Sequence, residues 1–91
     1  MELVPWIGVC AAFLTSLSYL PQVQKAWPRG STSDLSLKML LALTIGLLLW
    51  IAYGLVRSDW IIVAANFVGA ALSGSVLAFK IRDMRWERRR P

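Results

Sequence analysis

Residues 39–56, with the sequence MLLALTIGLLLWIAYGLV, contain no charged side chain, and they decide the fold class of this chain. A helix rises about 1.5 Å per residue and the hydrocarbon core of a membrane is about 30 Å thick, so this segment is long enough to cross it. Two further uncharged runs of similar length, residues 3–24 and 60–79, lie on either side. The sequence therefore predicts an all-α membrane protein with three transmembrane helices.

The overall composition agrees with this prediction. Apolar residues make up 57% of the chain, whereas ordinary soluble domains contain about 45–50%. The first run begins Met-Glu without a basic n-region, and its apolar stretch is too long for a secretory signal. We therefore expect it to remain in the mature protein as a membrane span.

The chain offers few groups for catalysis. It has no histidine, and its single cysteine, Cys10, lies inside the first apolar run. No cluster of Cys, Asp and Glu has the spacing of metal ligands, and no nucleophile lies beside a base. We expect no enzymatic activity, no metal and no cofactor.

Helix boundaries follow from the residues between the runs. Helix 1 is predicted over residues 4–27 and ends at Pro28-Arg29-Gly30. Helix 2 is predicted over residues 37–56, and the side-chain oxygens of residues 31–34 are predicted to cap it. Residues 57–59 form a tight turn. Helix 3 is predicted from residue 60 to about residue 80, followed by a basic tail, 81–91. The whole chain, residues 1–91, is predicted to be one domain.

Basic residues are distributed unevenly between the two sides of the membrane. The first loop and the tail share one side, which holds nine of the ten Lys and Arg residues, namely Lys25, Arg29, Lys38, Lys80, Arg82, Arg85, Arg88, Arg89 and Arg90. The positive-inside rule places this side in the cytoplasm and the N-terminus outside. Residues 80–90 could also bind anionic lipid or RNA, but a topology anchor explains them, so no nucleic-acid partner is expected.

Trp50 is the one tryptophan that an aromatic belt at the span ends does not explain, and Asn66 is an amide inside the third span. Each is eight residues from Ser58, the centre of the outer turn, so we expect them to meet roughly 12 Å below that turn. An amide at this depth needs a partner. A hydrogen bond between helices would satisfy it, and a flat ring beside an amide also suits a sugar.

Three further features of the sequence have either a role in motion or an ordinary structural role. Tyr53 and Arg57 continue the helical face of Trp50, and together with Asp59 they either close the outer mouth or form an ordinary turn ion pair. Pro21 interrupts helix 1 and provides a hinge or a static kink. Small residues along helix 3, among them Gly69 and Ser73, indicate close helix packing.

At several of these residues the sequence resembles that of the SemiSWEET sugar transporters, which are bacterial half-size relatives of the SWEET transporters in the PQ-loop group. The resemblance rests on residues 18–22 (SYLPQ), residues 31–36 (STSDLS), Trp50 and Asn66, and it covers essentially the whole chain. It implies a triple-helix bundle that works as a parallel homodimer in the bacterial inner membrane, with the sugar passing along the dimer axis.

The resemblance also implies roles for individual residues. Trp50 and Asn66 from both subunits would form the substrate pocket. Tyr53, Arg57 and Asp59 would form the outer gate. Pro21-Gln22 would be the inner hinge, and Tyr19 and Met39 lie at the depth of an inner gate.

The expected function is alternating-access uniport of a mono- or disaccharide. No carboxylate or histidine lies within the spans, so no proton relay is visible, and no nucleotide-binding motif is present to drive pumping. Three alternatives remain: a holin-like pore-forming protein, a PQ-loop transporter of a non-sugar solute, and a small structural subunit.

Overall fold

The computed structural model describes residues 3–89, which form three α-helices and no β-strand. Helix α1 spans Val4–Ala26, α2 spans Leu37–Val56 and α3 spans Trp60–Arg89. All three helices are long and apolar enough to cross a membrane. The predicted fold class is therefore confirmed, and the boundaries of α1 and α2 agree with the predicted ones to within one residue.

Helix α3 lies between the other two. It packs against both α1 and α2, whereas no Cα atom of α1 lies within 8 Å of a Cα atom of α2 in the described chain. The described apolar residues that are fully buried, Ala26, Leu40 and Val76, form one small cluster. Large side chains such as Leu14 and Phe67 are instead about two-thirds exposed. Such exposure is expected of a membrane protein, because lipid takes the place of a hydrophobic core.

Two glycines set the spacing between the helices. A Cβ on Gly54 of α2 would lie 2.9 Å from Val63 Cγ2 of α3, and one on Gly69 of α3 would lie 3.3 Å from both Leu47 and Tyr19. Ser73, one turn beyond Gly69, is buried and shares a 2.9 Å hydrogen bond with Thr44 of α2. The small residues of α3 therefore do allow close packing, as the sequence predicts.

The predicted end of helix 3 near residue 80 is wrong, because α3 continues to Arg89. The apolar run stops at Phe79, but no proline or glycine follows it before Pro91. The side chains of Lys80, Arg82 and Asp83 also bond to the loop between α1 and α2, which fixes the extension in place. Arg90 and Pro91 of the predicted tail, like Met1 and Glu2, lie outside the described residues.

The predicted cap of helix 2 is also wrong. Ser36, rather than any of residues 31–34, is the N-cap, and its Oγ accepts a 3.2 Å hydrogen bond from the Met39 amide. Thr32 and Asp34 are occupied elsewhere, with Asp83 and Lys25. The outer turn is as tight as expected: Ser58 has a φ of 54° and the Asp59 amide donates to the Gly54 carbonyl at 2.8 Å.

Candidate functional site

One face of α2 carries an open aromatic wall. The rings of Trp50 and Tyr53 meet edge to face, with centroids 5.3 Å apart and planes at 86°. They line a cavity of about 450 Å³ together with Gly46 and Leu49. All four residues belong to α2, and Trp50 and Tyr53 are 52% and 49% exposed. Within a single chain, no other helix lines the opposite side of this cavity among the described residues.

Asn66 lies in a different cavity. That cavity has a volume of about 290 Å³, and its lining includes Thr15 and Tyr19 of α1 but not Trp50. The Asn66 amide donates a 2.8 Å hydrogen bond to the Ile62 carbonyl, one turn earlier in α3. Within one chain, Asn66 and Trp50 therefore line different cavities, and the expected meeting of their side chains stays a prediction.

The outer turn brings Arg57 and Asp59 to a cavity of about 560 Å³, which Tyr53 does not line. The expected ion pair between Arg57 and Asp59 is not formed within the described chain. Asp59 instead caps α3, where its Oδ1 accepts a 3.2 Å hydrogen bond from the Ile62 amide. Helix capping satisfies a free amide at a site where the helix dipole also favours negative charge.

The residues predicted for the inner hinge lie in an unbroken helix. Pro21 and Gln22 are exposed, and α1 continues through them to Ala26. The hydroxyl of Ser18, three residues before Pro21, donates to the Thr15 carbonyl at 2.6 Å. The ring of Tyr19 lies against Gly69. Met39 is 57% exposed on α2, and the structure does not place it in a cavity with Tyr19.

Asp83 is a buried carboxylate that the sequence pattern did not predict. Asp83 is only 4% exposed and binds the loop between α1 and α2. Its Oδ1 accepts a hydrogen bond from the Gly30 amide at 3.0 Å, and its Oδ2 accepts bonds from the Thr32 amide at 3.2 Å and the Thr32 hydroxyl at 2.7 Å. A signal was available: Asp83 is seven residues after the buried Val76, on the same face of α3.

Two neighbours of Asp83 complete what we call the Asp83 cluster, which comprises Asp83, Thr32, Gly30, Lys80 and Arg82. Arg82 Nε donates to Asp83 at 2.8 Å, and its other nitrogens donate to the last carbonyls of α1 and to the Pro28 carbonyl. Lys80 donates to the Thr32 carbonyl at 2.9 Å. The cluster thereby satisfies carbonyls that the end of α1 leaves without helical partners.

The hydrogen bonds of this cluster control the charge of Asp83. Burial by itself raises the pKa of the Asp83 carboxyl, but the bonds from Gly30, Thr32 and Arg82 outweigh it and hold that pKa well below its ordinary value of 3.8. Asp83 is therefore an anion at neutral pH. On the exposed surface nearby, a hydrogen bond from Lys25 lowers the pKa of Asp34.

Comparison with known proteins gives matches along most of the chain. The PQ loop repeat family matches residues 3–63. The sugar transporter SemiSWEET of Bradyrhizobium diazoefficiens is 40% identical over 80 residues, which cover 88% of this chain and 93% of that protein. The sugar transporter SemiSWEET of Leptospira biflexa is 39% identical over 77 residues, which cover 85% of this chain and 91% of that protein.

A solved structure gives the same result for the fold. The crystal structure of a bacterial homologue of SWEET transporters superimposes with a TM-score of 0.82 at 30% sequence identity. The superposition covers 90% of this chain and 99% of that one. Sequence and fold comparisons thus agree over nearly the full length.

Proposed function

The chain belongs to the PQ-loop family and, within it, to the SemiSWEET proteins, and on this premise we propose that it carries a mono- or disaccharide across the bacterial inner membrane. Its relatives are named sugar transporters and match nearly its whole length. The observation that carries the proposal furthest is the aromatic wall of Trp50 and Tyr53. Aromatic faces suit the C–H faces of a sugar, and this wall is open to a ligand.

We propose that the working unit is a parallel homodimer. The aromatic wall consists of residues from one helix only, so another surface has to cover the opposite side of any sugar bound there. A second copy related by a two-fold axis supplies an identical wall facing the first. In this arrangement Trp50 and Asn66 of both subunits form the substrate pocket.

The outer gate in this proposal consists of Tyr53, Arg57 and Asp59 acting between subunits. Arg57 is exposed and has no ion-pair partner within residues 3–89, so it is available to a carboxylate of the second copy. Only Oδ1 of Asp59 takes part in the helix cap, which leaves Oδ2 for such a pair. Exposed ion pairs contribute only about 0–1 kcal/mol, which permits repeated opening.

The inner side is proposed to open by bending of α1 at Pro21-Gln22, with Tyr19 and Met39 at the inner gate. Uniport is the proposed mode, since residues 3–24, 39–56 and 60–79 carry no acidic residue, Lys, Arg or His to relay protons. The proposed orientation has the N-terminus outside and the basic C-terminal end in the cytoplasm.

Uptake of labelled glucose and sucrose into liposomes that contain only this protein tests the proposal. We expect saturable uptake of one of the two sugars, at the same rate with and without a pH gradient. Protein-free liposomes are the control for leakage. Uptake that requires the gradient would refute uniport, unselective release of both sugars would favour a pore, and no flux of either sugar would contradict a sugar transporter for these substrates.

A further inference from the structure

A cavity of about 310 Å³ lies at the basic end of the bundle, and we call it the arginine cavity. It is lined by Arg29, Arg82, Arg85, Trp86 and Arg89. We propose that the arginine cavity binds a phosphate group, which either a lipid headgroup or a soluble phosphate ester can supply. None of these residues belongs to the sugar route proposed above, so the two proposals stand or fall separately.

The four arginines converge because of how the chain folds. Arg82, Arg85 and Arg89 follow the i, i+3, i+7 spacing of one helical face on α3. Arg29 comes from the loop between α1 and α2. The residues on both sides of it are fixed to α3, since the Pro28 carbonyl accepts from Arg82 and the Gly30 amide donates to Asp83. The fold therefore fixes the backbone positions from which the exposed side chains of Arg29, Arg85 and Arg89 reach the cavity.

The positive charge of this cavity is largely uncompensated. Within residues 3–89, the ion pairs join Lys25 to Asp34 and Arg82 to Asp83. Arg29, Arg85 and Arg89 therefore have no carboxylate partner in the part of the chain that the structure describes, and no acidic residue lines the cavity. Like charges held together favour the binding of an anion that neutralises them.

Phosphate is the anion that matches this geometry. A guanidinium group presents a planar fork of N–H donors that binds two phosphate oxygens at once. Arg29, Arg85 and Arg89 can each present such a fork, whereas the nitrogens of Arg82 already donate to Asp83 and to backbone carbonyls. A volume of about 310 Å³ accommodates a headgroup or a small ester. A nucleic-acid duplex is too large to enter it.

The cavity begins at the depth of lipid headgroups and extends beyond them. Arg82, Arg85 and Arg89 lie three, six and ten residues beyond Phe79, the last residue of the uncharged run, which corresponds to about 5, 9 and 15 Å along the helix. The headgroup region extends roughly 5–7 Å beyond each face of the hydrocarbon core. A lipid phosphate can therefore approach the cavity from the membrane side, and a dissolved ester can approach it from the water.

Two binding measurements distinguish the sources. In the first, native mass spectrometry in neutral detergent measures binding of phosphatidylglycerol. In the second, calorimetry measures binding of inorganic phosphate and glycerol 3-phosphate to the protein in phosphatidylcholine nanodiscs. We expect Arg85→Gln and Arg29→Gln each to weaken the affinity for whichever species binds by about tenfold, since each removes a charge-assisted hydrogen bond.

Arg88→Gln is the matched control, because it removes the same charge from the same helical turn but Arg88 does not line the cavity. Binding in either arm, weakened by Arg85→Gln and retained by Arg88→Gln, supports the site and identifies its source. Equal weakening by Arg85→Gln and Arg88→Gln would mean general surface attraction and would overturn the proposal. No binding in either arm, or binding only of an added RNA oligonucleotide, would overturn it as well.

Discussion

The hydroxyl of Thr32 donates a 2.7 Å hydrogen bond to Oδ2 of Asp83, 51 residues further along the chain. Both residues are buried, Thr32 at 0% and Asp83 at 4% exposure. The bond fastens the loop after α1 to the far end of α3, and Arg82 adds bonds to the carbonyls of Ala26 and Trp27. Any bending of α1 at Pro21 must therefore either carry the end of α3 along or break the Asp83 cluster.

We expect Asp83→Asn to destabilise the protein by about 3 kcal/mol, because it leaves the buried donors of Thr32 and the partly buried Arg82 guanidinium without an anionic partner. The unfolding midpoint in detergent micelles measures this effect. Asp34→Asn is the control, since it removes a carboxylate from the exposed pair with Lys25 and should change the midpoint little. Equal shifts for the two variants would contradict a structural role for the Asp83 cluster.

The free energy of unfolding should fall at acidic pH because of the same residue, Asp83. The folded-state pKa of Asp83 lies well below the ordinary value of 3.8, so above that value the contribution of Asp83 to stability is fully present. As the pH falls below about 4, the unfolded chain binds a proton that the folded chain still excludes, and this contribution is progressively lost.

Unfolding midpoints measured from neutral pH downwards check this sign. Wild-type protein should lose stability in acid more steeply than Asp83→Asn, whose amide does not titrate. Parallel curves for the two proteins would show that other carboxylates account for the acid sensitivity.

The fold could be predicted from sequence to the extent that it depends on local chemistry. Uncharged runs identify the three spans, and Pro28 with Gly30 identifies the end of α1, because these signals reside in consecutive residues. The extension of α3 could not be read in this way. The charges that begin at Lys80 mark the end of the apolar run, but helix α3 continues because Arg82 and Asp83 bind a loop that is distant in sequence.

The candidate site shows the same limit. Equal distances from Ser58 predict the depth of Trp50 and Asn66, but not the direction in which each side chain points. In the structure Asn66 lines a cavity together with residues of α1 and Leu47 of α2, whereas Trp50 lies on the open face of α2. Likewise, the charges of Arg57 and Asp59 are opposite and close in sequence, yet Asp59 caps its own helix.

Close packing between α2 and α3 should make Gly54 intolerant of a side chain. A Cβ there would lie 2.9 Å from Val63 Cγ2 and 3.2 Å from the Val63 backbone nitrogen, so α2 and α3 would have to separate. We expect Gly54→Ala to destabilise the protein by about 1–3 kcal/mol in the same unfolding assay. Gly74→Ala, where a Cβ meets nothing within 4 Å, should be tolerated. Equal stability of the two variants would refute the close contact.

The sugar route proposed above predicts that Trp50→Ala and Asn66→Ala each reduce sugar uptake into liposomes by about tenfold or more while the protein remains folded in the membrane. The first change removes the open aromatic wall and the second removes the polar group expected to face a sugar in the dimer.

Matched controls exist for both. Trp6→Ala removes a similarly exposed tryptophan, 54% against 52%, from α1. Ser75→Ala removes a side chain that, like Asn66, donates to a carbonyl one turn earlier in α3. If uptake falls with Trp50→Ala but not with Asn66→Ala, the sugar contacts the α2 wall alone. Asn66 then serves its own helix, as its bond to the Ile62 carbonyl already allows within one chain.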